Sequence, residues 1–593
     1  MMRAQWTSPM KRACLLLFGC MMVGVLNQLF IFTIHYPLDQ PVPFFISRDA
    51  SGTDANESAS ASTSLHYPRD QPVPFFSSRD ASGTVANASA PASTSPVVVR
   101  DCELEGLVAL LNTFDDWDGV GNLSSPALKA FFEHLAPWVV AEPSSRTRNP
   151  EEIEALRPPR PTIDCNASRY RGVFTGRRLP SPRPVVDLVP FGFDLAMLEL
   201  RLLETADAVD LFVVSESEAS EKPGHEKPLF FDMAKDQPRF ARFRPKILHV
   251  IRRANTSGVA KLKGMWALET STRGWPTACL SALVFEDMAH DCYAHSLGGQ
   301  GDEGQHARRL LEENLGLCGW SESGGGPRRA VGSWGVPEAL ATIIKNRNEA
   351  LLFQNDEDEL MTREVALHLK HCELKKPHTP VYAPTTLFKI NMQHLQPTNH
   401  VKCLGGSDLQ RAPDYGKYLW KNNNIARLVT VACNRTEAMY PVEIDGTNFL
   451  RRHNPCTGPG ASDHLGFGSG IHLSSTADPV QTWLKGFSVL EANMGGDFPV
   501  YLLQAAKNAS VTPSHLIRWL SAKSCQYMRA TNVVHISQVS AGFQEFSRSA
   551  MPWALKAAPE RFCFHNPVPP AIWSNQLSIA SLAHKDFKEK CTF

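Results

Sequence analysis

The chain has no surplus of either charge. Its 593 residues carry 60 Lys and Arg against 60 Asp and Glu, and without a basic excess nucleic acid is not an expected partner. Three ligand-binding motifs are approached and each lacks a part. GFGSGIH, ending at His472, brings its third glycine one place early for the dinucleotide loop G-x-G-x-x-G, and no strand clearly precedes it. DDWDGVGNLSSPA sets Asp116, Asp118, Gly121 and Leu123 at the offsets of a calcium loop. Val120 and Ala127 stand at its fifth and twelfth positions, however, so the bidentate Glu is absent. HLKHC, with His368, His371 and Cys372, has no evident partners for a closed zinc site, and its alternation of charged and apolar residues at helical spacing reads as a core helix.

Acid is missing from the first twelve residues, MMRAQWTSPMKR, and charge of any sign is missing from the next run, Ala13 to Ile34. A bilayer span takes ~20 mostly apolar residues. The run is long enough, although Asn27 and Gln28 dilute its second half, and it exceeds the ~7–15-residue apolar core of a cleaved signal peptide, the competing reading. Arg3, Lys11 and Arg12 favour a cytoplasmic tail (1–12) and a signal-anchor (13–34), with everything after Ile34 on the far side of the membrane. Seven N-glycosylation sequons, at Asn56, Asn87, Asn122, Asn166, Asn255, Asn434 and Asn508, all lie beyond that run. So do twelve of the 14 cysteines, which in an oxidising compartment permits disulfides of undetermined pairing.

HYPLDQPVPFFISRDASGT from His35 returns as HYPRDQPVPFFSSRDASGT from His66. Two copies with Ser/Ala/Thr-rich tails cannot bury a core, so residues 35–96 read as a disordered stem. Residues 97–183 read as a helical pre-domain and linker, in which SSPALKAFFEHLAPWV starts a helix with Ser125 as N-cap and Pro126 at the first helical position. From about residue 184 the pattern changes. VVDLVPF is strand-like, DLAMLELRLLETA has helical spacing, and VDLFVVSES is strand-like with a polar tip at Ser215, Glu216 and Ser217. Strand, helix, strand predicts an α/β core with a mostly parallel sheet, whose ligands gather at the carboxyl ends of its strands. FQNDEDEL, Phe353–Leu360, also comes after an apolar segment, so a second polar tip is expected near the first. A short acidic run is ordinarily a solvated loop. If this one leaves a strand, Asp356 and Asp358 point the same way and offer hard oxygen ligands to one cation.

These segments together resemble glycosyltransferase family 17. The pattern F-D-L-L-E-R-x-x-E, then V-D-x-F-V-V-V-E-S, then G-x-x-K-P-L-x-F is carried by Phe193, Asp194, Glu199, Arg201, Glu204, Val209, Asp210, Glu216, Ser217, Gly224, Lys227, Pro228 and Leu229. WALETSTR, with Trp266, Glu269 and Arg273, is similar to the family's W-x-x-E-x-x-x-R helix, and NDEDEL to its acidic motif. His472, Lys485, Phe487, Ser488, Glu491 and Asp497 carry the last part, which ends in GDFP. The resemblance marks residues 184–515 as the transferase domain, with a Gly-rich insertion at about 275–334, and leaves 516–593 as a C-terminal extension. Ile471, Leu473 and Ser475 stand where the family has Trp, Cys and Trp, which puts the acceptor in doubt.

What the resemblance implies is a GT-A-like fold and inverting transfer of N-acetylglucosamine from UDP-GlcNAc to a mannose of a glycoprotein N-glycan, in the Golgi, on a single-pass type II membrane protein. Departure of a nucleoside diphosphate calls for a cation, Mn²⁺ or Mg²⁺, and carboxylates suit either. Asp356 and Asp358 are the expected metal ligands, with His472 a candidate third that could equally be a satisfied core histidine. Glu359 orients the ligands or bonds the sugar. Asp497 and Glu491 are alternative catalytic bases for the attacking hydroxyl. Glu216 and Ser217 are expected at the donor, with Lys227 or Arg273 at its diphosphate; each charge could instead form a structural ion pair. The other readings are the same fold with another donor or acceptor, and a catalytically silent glycan-binding protein. The topology has a direct check: N-glycosidase treatment of the expressed protein should raise its gel mobility, and an unchanged band would contradict an extracytoplasmic body.

Overall fold

The computed structural model describes residues 104–143, 148–220, 225–252, 276, 280, 337–376, 381–396, 419–427, 463–464, 470–476, 478–488, 500–520, 534–535 and 539–565. Every described residue belongs to the unit Ser93–Phe593. The expected tail, anchor and stem lie outside the described residues. Among those described, no helix is long and apolar enough to cross a membrane.

Twelve strands are described: β1 (Phe174–Arg178), β2 (Val185–Phe191), β3 (Leu211–Ser217), β4 (Ile247–Arg252), β5 (Leu351–Gln354), β6 (Glu359–Met361), β7 (Cys372–Leu374), β8 (Val381–Leu395), β9 (Leu419–Arg427), β10 (Asp463–His464), β11 (Gly470–Thr476) and β12 (Val534–His535). VVDLVPF and LFVVSES are the expected strands, β2 and β3. Their apolar residues run almost without a break because both faces of the sheet are covered. Val185, Val189, Phe212 and Val214 belong to one core layer, while Val186, Leu188, Leu211 and Val213 belong to the other with Leu280, Leu340 and Ile343. The two-residue side-chain period of a strand divides them.

The main sheet runs β4-β3-β2-β5-β9-β8-β11-β6. Its first four strands are parallel, and β9 then pairs antiparallel with both β5 and β8. The chain builds outward from β2 to β4 and returns to add β5 on the opposite side of β2. That reversal is a topological switch point, and in open α/β sheets ligands bind in the crevice it leaves at the carboxyl ends of the strands.

The helices among the described residues include α1 (Glu105–Asn112), α2 (Ser125–Val140), α3 (Leu195–Thr205), α4 (Phe230–Ala234), α5 (Glu338–Lys345), α6 (Arg363–His371), α7 (Pro479–Ser488), α8 (Val500–Lys507) and α9 (Trp553–Ala557). The helix start expected at Ser125 lies one residue earlier: Ser124 is the N-cap, Ser125 begins α2 and Pro126 sits in its first turn. The calcium-like stretch is no cation loop. Asp116 accepts the Gly119 N–H at 2.9 Å as the cap of a short helix, and Asp118 pairs with Lys507 of α8. HLKHC spans the end of α6 and the first residue of β7; His368 bonds the Glu364 carbonyl at 2.8 Å and packs against Tyr170, with ring centres 4.5 Å apart. Cys372 is joined to Cys165 in a disulfide, so the zinc reading gives way to the core-helix one.

The segments flanking residues 184–515 share their core. Phe131 and Phe132 of α2 pack on Trp483 and Phe487 of α7, with ring centres 6.2 and 5.9 Å apart. Asn112, at the end of α1, exchanges two hydrogen bonds with the backbone of Val511, at 2.8 and 3.0 Å. Residues 553–565, expected within the C-terminal extension, close over α3. All eleven residues of α3 are buried, including Glu199, Arg201 and Glu204. Glu199 takes Arg561 Nε at 2.8 Å, while Glu204 accepts the amides of Arg363 and Trp553, each at 2.9 Å. Burial holds the Glu204 carboxyl above the ordinary range, against the pull of those two amides.

Glu204 therefore starts two helices, α6 and α9, from a third. Glu204→Ala should leave two buried N–H groups without an acceptor, at a cost of about 1–3 kcal/mol each. Glu204→Gln keeps one acceptor oxygen and should lose distinctly less. Urea unfolding midpoints of the two variants check the order.

Candidate active site

At the switch point β2 ends in Phe191 and leads through Gly192 and Phe193 into Asp194, the N-cap of α3. Beside it β5 ends at Gln354, and Asn355, Asp356, Glu357 and Asp358 form the connection to β6. The acidic run is a turn, not the extension of a strand. Glu359 N–H donates to the Asp356 carbonyl at 3.1 Å, and the Glu359 carboxylate accepts the Asp356 N–H at 3.1 Å. The same carbonyl accepts Arg201 Nη1 at 2.6 Å. Contrary to the expectation from sequence, strand alternation does not set the directions of Asp356 and Asp358.

Glu357, an acid with no role expected from the sequence, fastens the turn to the neighbouring strand end. Its Oε2 accepts the amides of Gly192 at 2.6 Å and Phe193 at 3.1 Å. Burial, then the charge of Asp194, pushes its carboxyl up to about 8, with the two amides pulling the other way. Gly192 is needed for the approach, since a Cβ there would stand 2.9 Å from Glu357 Oε1. The signal for this contact is a glycine after one strand and an acid after another, which carries meaning only once the strands are known to be neighbours.

On the far side of the turn β11 pairs antiparallel with β6 and sets His472 opposite Glu359. His472 Nε2 lies 3.5 Å from Asp358 Oδ1, and His472 Nδ1 lies 3.9 Å from Glu359 Oε1. Lys485 of α7 donates to Asp358 Oδ2 at 3.1 Å. Burial alone would raise the Asp358 carboxyl, but Lys485 and then His472 hold it well below the usual carboxylate range. Asp358 is therefore an anion at any physiological pH. Its oxygen and the His472 nitrogen are hard and borderline donors side by side, a set that could hold Mn²⁺ or Mg²⁺. Among the described residues no group of three or more His, Cys, Asp or Glu forms a cage. Two such ligands would leave phosphate oxygens to complete the shell of a divalent cation. Asp356 is half-buried in the same turn.

The polar tip of β3 lies one strand further along, with β2 between it and β5. Glu216 is wholly buried and accepts the Phe231 and Asp232 amides of α4, at 2.9 and 3.1 Å. His249 of β4 stands 3.6 Å from its Oε2 and 3.7 Å from Asp232 Oδ1. The carboxylate is thus committed to holding α4. Two neighbours differ: Ser217 Oγ and Lys227 Nζ are buried and make no hydrogen bond among the described residues. Burial lowers the Lys227 ammonium from its ordinary value, against the attraction of Glu216 and Glu357. Arg273, Glu491 and Asp497, expected at the diphosphate and as alternative bases, lie outside the described residues.

The structure therefore gathers Asp356, Asp358, Glu359 and His472 at one place, and sets Glu216, Ser217 and Lys227 on the same edge of the sheet. No curated protein and no solved structure gives a significant match to the chain. A family model does match, over residues 168–288, a stretch that includes β2, α3, β3 and β4 and ends before the acidic turn. Over those residues the chain is similar to glycosyltransferase family 17.

Proposed function

We propose that the protein is an inverting, GT-A-like transferase that moves N-acetylglucosamine from UDP-GlcNAc to a mannose of a glycoprotein N-glycan in β-1,4 linkage, working on the lumenal side of the Golgi membrane as a type II protein. The observation that carries the reading is the acidic turn at the switch point of a family-17 sheet, with Asp358 and His472 side by side at its exit. Donor, acceptor and compartment come from the family resemblance and from the sequence signals at the N-terminus.

In this reading Asp358 and His472 hold a divalent cation, with Asp356 as a further ligand. That cation, when bound, stabilises the charge gathering on the departing nucleoside diphosphate. Glu359, buried, fixes the backbone of Asp356 and backs the imidazole of His472, the orienting role. Lys485 keeps Asp358 ionised. Lys227 and Ser217, whose donors make no hydrogen bond among the described residues, are suited to phosphate oxygens or a ribose hydroxyl at the neighbouring strand end. The base that takes the acceptor proton is Asp497 or Glu491.

Asp358→Asn, which is nearly isosteric, and His472→Ala, at a buried strand position, test the proposal, with circular dichroism to show that both proteins fold. Loss of a charge-assisted contact of about 1.5–3 kcal/mol should weaken Mn²⁺-dependent UDP binding by roughly tenfold or more. Titration of UDP with and without Mn²⁺ reads the effect. Variants that bind and turn over donor like the wild type would reduce the turn to a solvated loop and end the mechanism.

A further inference from the structure

Arg201 is 2% exposed, and its guanidinium makes contacts of two kinds. Nε and Nη2 form a forked pair with Asp187 Oδ2 and Oδ1, both at 2.7 Å. Nη1 leaves that pair and donates at 2.6 Å to the Asp356 carbonyl, 155 residues away. Asp187 lies on the face of β2 turned to α3, with Val185 and Val189. Its partner across the strand pair is Phe353, three residues before Asp356. The guanidinium therefore reaches from beneath the sheet to the first corner of the acidic turn, at the carbonyl that also accepts the Glu359 amide closing it.

Core stability does not account for this arrangement. A buried ion pair is often matched or bettered by apolar residues of the same volume, because desolvation offsets the attraction. The Asp187 fork alone would also satisfy the charge. What the third donor adds is a fixed height and direction for the turn. Only a planar guanidinium can fork onto a carboxylate and still aim a further N–H elsewhere, since an ammonium projects its donors from a single point.

We propose that Arg201 is a positioning residue that holds the acidic turn in its ligand-ready form. Arg201 touches no ligand; it acts through the Asp356 backbone, and Asp187 serves to orient the guanidinium. The inference deepens the functional reading above, and for binding it rests on that reading.

The test compares Arg201→Lys with Arg561→Lys in the full chain. Both keep a buried charge next to a carboxylate that touches α3 or lies on it, but the contacts of Arg561 are with Glu199, Glu142 and the Arg148 carbonyl, away from the acidic turn. Amide hydrogen exchange of the peptide over residues 355–361, without any ligand, should show protection at Glu359 falling by about tenfold or more in Arg201→Lys and staying near wild type in Arg561→Lys. Melting temperatures should fall alike in both. Mn²⁺-dependent UDP affinity should drop by about tenfold or more in Arg201→Lys alone. Unchanged exchange in Arg201→Lys, or equal loss of protection in both variants, overturns the proposal and leaves a merely structural ion pair. Binding that stays at wild-type strength despite a loosened turn overturns it too. If the wild type binds no nucleotide while exchange separates the variants, the clamp on the turn stands and the donor reading fails.

Discussion

A helix with no face in water cannot leave its charges to solvent, and the constraint on α3 organises the rest of the molecule. Each of its polar side chains requires a counter-group from another segment, because an uncompensated buried charge costs several kcal/mol. Asp194 takes His565, Glu199 takes Arg561, Arg201 takes Asp187 and the Asp356 carbonyl, and Glu204 takes two helix starts. One helix thereby ties together the central strand, the acidic turn, the helix after it and the last described segment of the chain. The transferase core is closed by polar pairing at named points as well as by apolar packing around them.

The site inherits its order from this arrangement. Asp358 and His472 stand side by side because β6 and β11 are paired, and β6 is reached through a turn held from two sides. Arg201 holds its backbone from below, and Gly192 and Phe193 grip the Glu357 side chain from the neighbouring strand end. A loop of four acidic residues would otherwise repel itself open. Glu357 answers by accepting amides in a place that holds its carboxyl near the neutral form, Asp358 by pairing with Lys485, and Glu359 by turning inward to the Asp356 amide.

Local order is legible in the residues and long-range order is not. β2, α3 and β3 come directly from VVDLVPF, LAMLELRLLET and LFVVSES, since apolar period and strand-ending polar groups are properties of neighbours in the chain. The acidic run is recognisable as a site by position, yet its form as a turn depends on a carbonyl shared with Arg201, which no spacing announces. The one-residue difference at Ser125 is a matter of which serine takes the cap. The larger miss is Trp553, Arg561 and His565, which read in sequence as part of an extension. Their partners on and at the cap of α3 lie 349 to 371 residues earlier, and a lone Arg or His carries no mark of the carboxylate it will meet. The place of Glu216 is equally hidden in the sequence, because the amides that occupy it come from a helix fourteen or more residues on.

The closure of α3 by residues 553–565 also sets a timetable. At about 5–20 residues per second, Glu204 leaves the ribosome many seconds before Trp553, 349 residues behind it, can arrive. Throughout that interval the strands around β2 can pair and the Cys165–Cys372 bridge can form across its 207-residue span, while the carboxylates of Asp194, Glu199 and Glu204 wait without their last partners. A chain stopped just before Trp553 would therefore carry every described strand of the sheet and still be unable to finish its centre, because Glu199 would lack Arg561 and Glu204 would lack the Trp553 amide.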